Sequence, residues 1–87
     1  WEVIRMFLSV ENAPEAKQTA FEELSDLGVW MSCRLHGTMD LYAVATVQST
    51  KAADDLLSEV RAIDHVTRVE HSIETVRETE VDNYLAL

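Results

Sequence analysis

Cysteine occurs once, at position 33, so no internal disulfide can staple this chain and a small secreted scaffold is excluded. No spacing of paired Cys and His suits a structural zinc either. One proline and two glycines are too few for a linker or a low-complexity segment. Positive charge is the other scarcity. Lysine stands only at Lys17 and Lys51, and 7 basic residues face 16 acidic ones, for a formal net charge of −9. Such a surface repels phosphates, and non-specific DNA affinity depends on Lys and Arg displacing counterions, so these residues are not expected to touch nucleic acid themselves. The acid excess reads as a solubilising surface. No apolar run approaches the ~20 residues that cross a bilayer, and no N-terminal stretch reads as a signal peptide. No membrane partner and a cytoplasmic location are therefore expected.

What the chain has is pattern. Its 87 residues are 47% hydrophobic, too apolar for disorder and too few for two ordinary domains. A domain of this size buries only ~60–68% of its unfolded surface, and association is an ordinary remedy for so marginal a core. The chain opens on Trp1 rather than Met, which points to a processed product or to a fragment with something upstream.

Residues 2–10 read EVIRMFLSV, rich in strand formers, with Ile4, Met6, Leu8 and Val10 on one face. A helix is expected to follow, capped by Asn12, with Pro14 in its first turn and Gly28 closing it. Ala13, Ala16, Ala20, Leu24 and Leu27 recur at its three-to-four spacing. A second strand over 29–36 is expected to turn Val29, Met31, Cys33 and Leu35 to the core. Gly37-Thr38 then makes a hairpin turn into a third strand over 39–48, with Leu41, Ala43, Ala45 and Val47 inward. Ser49 or Thr50 caps a second helix, whose stripe is Ala53, Leu56, Leu57, Val60 and Ile63. A last strand over 67–77 has mixed parity, since Val66, Val69, Ile73 and Val76 keep no single phase; a bulge or a late start accounts for that. Residues 1–78 make the domain, and 79–87 a tail apolar enough (Val81, Tyr84, Leu85, Leu87) to dock.

The order β-α-β-β-α-β, with two right-handed crossovers, gives an α+β ferredoxin-like sandwich: a four-stranded antiparallel sheet with both helices on one face. The other face should carry Val3, Phe7, Trp30, Tyr42 and Val44, with Arg5, Arg34 and Thr46 among them. That is much apolar area to leave wet, so it is read as the surface of a homodimer, the alternative being cover from the tail.

The stretch Leu35-His36-Gly37-Thr38-Met39-Asp40-Leu41-Tyr42-Ala43-Val44, placed at the second turn of this pattern, resembles the effector-binding (RAM) domain of Lrp/AsnC-type transcriptional regulators. So does Leu56–Ile73, with Ile63-Asp64-His65-Val66-Thr67-Arg68 between helix and strand. The resemblance spans nearly the whole chain, and its most specific element is Gly37-x-x-Asp40 ahead of an apolar strand. It implies a domain that dimerises through its sheet, with dimers gathering into octamers or similar rings. It further implies a small effector, commonly an amino acid, bound where dimers meet, and DNA contact through a helix-turn-helix that these residues do not include. Gly37, Thr38, Met39 and Asp40 would form the pocket loop, its backbone N–H groups receiving the effector's carboxylate. Val69 and His71 fall where the family often has hydroxyl side chains. Two departures stand out: Thr38-Met39 replaces the usual acidic or aromatic residue between Gly and Asp, and Asp64-His65 replaces the usual Gly.

The residues themselves admit other readings. Asp40 suits an effector's ammonium, but Asp also favours turns. Gly37 serves turn geometry first. His36 and His71 lack a third metal ligand at fitting spacing, so no metal and no cofactor is expected. Cys33 is read as a small buried apolar residue. Glu22-Glu23 and Asp54-Asp55 point about 100° apart on their helices and form solvated faces. For catalysis the only candidate set is Arg5, Arg34 and His36, in the manner of ferredoxin-like monooxygenases and tetrapyrrole decarboxylases. No nucleophile–base pair or phosphate loop accompanies it, so the chain is read as no enzyme. A stand-alone assembly module without effector is the remaining alternative.

Overall fold

The structure, a computed structural model, describes residues 1–75. The expected strand end at 76–77 and the docked tail at 79–87 lie outside the described residues. Six elements follow in order: β1 (Glu2–Val10), α1 (Ala16–Ser25), β2 (Met31–Arg34), β3 (Leu41–Val47), α2 (Thr50–Arg61) and β4 (Val66–Thr75). The strands form one antiparallel sheet in the order β2-β3-β1-β4, the ferredoxin-like arrangement. Pairing the first strand centrally and the second at an edge follows from two βαβ crossovers of the same hand.

One sheet face meets both helices. Ile4, Met6 and Leu8 of β1 and Leu41 and Ala43 of β3 are fully buried with Ala20 and Leu24 of α1 and Ala53, Leu57 and Val60 of α2. These are the alternate strand positions and the helical stripes that the sequence spaces out. Each Leu buried here stabilises the fold by roughly 1.5–3 kcal/mol. The helix ends differ in quality. Ser49 caps α2, its hydroxyl accepting the Ala52 N–H at 3.1 Å. Asn12 does not cap α1, contrary to expectation. The chain from Glu11 to Glu15 is spent in turns instead, Glu15 sits at φ +65° without a side-chain cap, and the helix begins only at Ala16. Gly28 takes φ +80° just beyond α1, the left-handed conformation its lack of Cβ permits.

The irregular parity of the last strand is a bulge. Ser9 faces Arg68 but Val10 faces Val66, so Thr67 is the extra residue. That single insertion returns Val66 to the helix-covered face alongside Val69 and Ile73.

β2 corrects the sequence reading. Met31 lies opposite Val44 and Cys33 opposite Tyr42, so both point to the face away from the helices. Ser32 and Arg34 take the helix side. Cys33 is therefore half-buried on the second face and no core residue. Phase is lost at the bend of Trp30: Val29 before it packs on the core, while Met31 after it does not. The inward positions are filled by polar groups because α1 offers them partners. Ser32 Oγ lies 2.9 Å from Ser25 Oγ, and Arg34 donates to Gln18 Oε1 at 2.8 Å with its guanidinium 5.6 Å from the Phe21 ring centre.

Candidate functional site

At the sheet end where β1 and β2 finish and β3 and β4 begin, the connection between β2 and β3 forms a loop rather than a two-residue turn. β2 stops at Arg34 and β3 starts at Leu41, earlier and later than the sequence pattern suggests. The loop is closed at its neck by the Leu35 N–H, which donates to the Asp40 carbonyl at 2.7 Å. Gly37 lies at φ +130° within it, a backbone setting that a side chain rarely adopts.

Asp40 fastens this loop to the neighbouring strand. Its N–H donates to the Leu8 carbonyl at 2.8 Å, and its Oδ2 accepts the Val10 N–H at 2.9 Å. The carboxylate thus does structural work at the end of β1, where a strand would otherwise leave a donor unmet. Its Oδ1 has no partner among the described residues. Met39 adds a weaker tie, its sulfur 3.4 Å from the Ser9 hydroxyl. Lys17 of α1 holds the other root, donating to the Leu35 carbonyl. Among the described residues, the N–H groups of Gly37, Thr38 and Met39 have no partner. The loop therefore combines a rigid base with a tip of unpaired donors, the composition an anion cradle needs.

Val69 lies opposite Leu8, level with the loop's attachment, but across β1 from it. Strand spacing puts the two about 10 Å apart. Beside Val69, a shallow depression of about 290 Å³ is lined by Arg61, Val66, Thr67, Arg68 and Val69. His71 lies opposite Met6, one pleat period farther from this end. Between loop and depression runs a third link: Glu11 N–H donates to the His65 carbonyl at 2.8 Å, and His65 Nδ1 lies 3.0 Å from Glu11 Oε2. That hydrogen bond to a carboxylate raises the His65 pKa; desolvation, next in size, opposes it, and the charges of Glu11, Asp64 and Glu23 add to the rise. Nothing in the sequence announced Lys17 or Val10 as partners of the loop, or Glu11 as the partner of His65; each bond spans many residues.

The second sheet face is graded. Phe7, Tyr42 and Cys33 lie in one row across β1, β3 and β2, with Arg5, Val44 and Met31 in the next. The Phe7 and Tyr42 rings are 4.8 Å apart, Val3 and Val44 are buried with Tyr42 against them, and Phe7 and Met31 are each 38% exposed. Toward β4 the face turns polar, through Arg68, Glu70, Ser72 and Glu74. Trp30, 50% exposed, stands just before β2, outside its register. The set Arg5, Arg34 and His36 does not converge. Arg5 is on the second face, bonded to Glu74 at 2.6 Å, while Arg34 is on the helix side. Among the described residues no three His, Cys, Asp or Glu are placed to hold a metal ion. No helix among them is long and apolar enough to cross a membrane.

No protein-family model matches the chain, and no curated protein matches it in sequence. Solved structures do match it. A protein of Thermus thermophilus superposes with a TM-score of 0.78 at 16% identity, over 88% of this chain and 96% of the other. AsnC of E. coli gives 0.75 at 16% identity, over 88% of this chain but 52% of its own. A feast or famine regulatory protein of M. tuberculosis, complexed with L-methionine, gives 0.69 at 19% identity, over 88% and 52%. The chain thus spans about half the length of these two regulators. It has the fold that one portion of each of them has, and that the Thermus protein has along nearly its whole length.

Proposed function

We propose that this chain is the effector-sensing and assembly domain of an Lrp/AsnC-type transcriptional regulator, with a free amino acid as effector. The observation that carries the reading is the loop Gly37–Asp40: a base locked to β1 through Asp40 and three N–H groups at its tip that have no partner among the described residues. A zwitterionic amino acid complements both parts. Its carboxylate suits the N–H groups of Gly37, Thr38 and Met39, and its ammonium suits the Asp40 oxygen that Val10 leaves free. The methionine complex of a regulator with the same fold supports this chemistry. Val69 and the neighbouring depression would belong to the same site once a second dimer closes over it, with His71 at its margin. Dimerisation would use the apolar rows of the second face, Val3, Phe7, Tyr42 and Val44 with Met31 and Cys33 added, and Trp30 at their edge. Higher rings would bring the loops together. DNA contact falls to a helix-turn-helix outside these residues, since a net charge of −9 suits no phosphate backbone. Such a regulator works in the cytoplasm.

The test is thermal unfolding with each of the twenty amino acids. A ligand at 100 times its Kd stabilises by ~2.7 kcal/mol. Asp40→Asn retains an acceptor for Val10 but loses the charge, so it should keep the fold and weaken the effector by about tenfold. A second reading, a stand-alone assembly module without effector, draws on the Thermus protein only for the stand-alone part, since this fold makes up 96% of that chain. It gains if no amino acid moves the transition and Asp40→Asn changes nothing but stability.

A further inference from the structure

On the far side of the loop's root from the depression, between α1 and the edge strand β2, lies a larger groove of about 660 Å³. It is lined by Lys17, Phe21, Ser32, Cys33, Arg34 and His36. Its charge is unusual for this molecule. The chain carries −9 overall, and the other cations that bind side chains do so with carboxylates: Arg5 with Glu74, Lys51 with Asp55, Arg68 with Glu70. Among the described residues, Lys17 and Arg34 do not. Lys17 donates to a backbone carbonyl, that of Leu35, and Arg34 to an amide, Gln18 Oε1. Gln18 in turn donates to Glu22 at 3.0 Å, which leaves the nearest carboxylate of this chain of bonds one side chain removed from the guanidinium.

Donors remain in surplus. An ammonium has three N–H groups and a guanidinium five, and each of these cations uses one among the described residues. Ser32 adds a hydroxyl and His36 an exposed imidazole beside them. The Phe21 ring, already beneath the guanidinium, supplies a flat half-buried wall. Fork-shaped and point-like cations side by side match the several oxygens of a phosphate better than a single carboxylate, and an aromatic wall suits a planar group attached to it.

The geometry points to this groove as a second ligand site, one for a phosphate monoester carried on a planar ring, a nucleoside monophosphate in chemical class. Lys17 would reach the phosphate from the helix and Arg34 from the strand, with Ser32 and His36 completing the cradle. The site shares the loop's root through Lys17 and His36 but uses none of the N–H groups at its tip.

Adenosine monophosphate and inorganic phosphate serve as probes, titrated into 15N-labelled protein and followed by amide chemical shifts. Saturable shifts at Lys17, Phe21, Ser32, Arg34 and His36 are expected with the nucleotide, and weaker ones at the same residues with phosphate alone. Lys17→Met and Arg34→Gln should each weaken the nucleotide by about tenfold, the loss of one charge-assisted contact. Lys51→Met removes the same charge from the exposed face of α2 and should leave binding unchanged. The proposal is overturned if neither probe gives saturable shifts, or if Lys51→Met weakens binding as much as Lys17→Met. Phosphate binding as tightly as the nucleotide would remove the planar group from it. The spectra themselves report whether each variant is folded.

Discussion

The two faces of the sheet are made from the same strands, residue by alternate residue, yet they are built for different purposes. On the helix-covered face, Ile4, Met6, Leu8, Leu41 and Ala43 have no exposure at all, because two amphipathic helices lie over them. On the second face Val3 and Val44 are buried, but Phe7 and Met31 remain 38% exposed, and the rows give way to charge at β4. Folding is decided on the first face. The second face is the one we propose for association, its apolar part being confined to β1, β3 and β2, next to the loop that we assign to the effector.

The sharpest way to break this comparison is at Leu8. Truncation to Ala leaves a cavity in the shared core and should cost about 2–5 kcal/mol in chemical denaturation. If the second face mattered equally to the fold, Phe7→Arg would cost as much. We expect instead that Phe7→Arg leaves the monomer folded, because Glu70 lies directly opposite on β4 and can pair with the new charge. The same substitution should weaken self-association by at least about thirtyfold in sedimentation, as an interface anchor does. A wild-type protein that sediments only as a 9.9 kDa species would remove the assembly role from this face.

A smaller effect is expected where the loop joins the sheet. Asp40→Ala leaves the Val10 N–H without its acceptor and should cost about 1–2 kcal/mol, with Asn restoring most of it. Equal loss in both variants would mean that the charge, and not the hydrogen bond, holds the loop. The smallest effect concerns His65. Its pKa is raised above 6.5 in the folded chain by the bond to Glu11. The stabilisation from its protonated form is then complete below pH 6.5 and is lost as pH rises through the folded value. The melting-temperature difference between wild type and His65→Asn should shrink across that window, Asn being chosen because it tolerates the φ of +74° at this position. A difference that stays constant with pH would show that the pair is not coupled to folding.

Much of the fold was legible because it is written in short periods. Ala16, Ala20 and Leu24, and Ala53, Leu57 and Val60, mark their helix faces within a few turns, and Ile4, Met6 and Leu8 mark a strand face by simple alternation. The candidate loop was legible in part. Gly37 and Asp40 could be picked out as turn residues, whereas the partner that fixes Asp40, the Val10 N–H, lies 30 residues away. Cys33 was misplaced for a related reason. The run Val29, Met31, Cys33, Leu35 alternates correctly, but the bend at Trp30 breaks its phase, and only pairing with β3 says which way β2 faces.

The sequence by itself determined the element order, the helix stripes, the positive φ at Gly28 and the acid surface that argues against DNA contact by these residues. Each of those follows from neighbours within a turn or two, or from composition. Tertiary structure alone decided the facing of β2, the place of the bulge, the tether from Lys17 to Leu35 and the groove beside it, whose two cations meet no carboxylate among the described residues. The physical reason is register. Strand pairing couples residues tens of positions apart, and shifting it by one residue turns every side chain to the opposite face while leaving the local pattern unchanged.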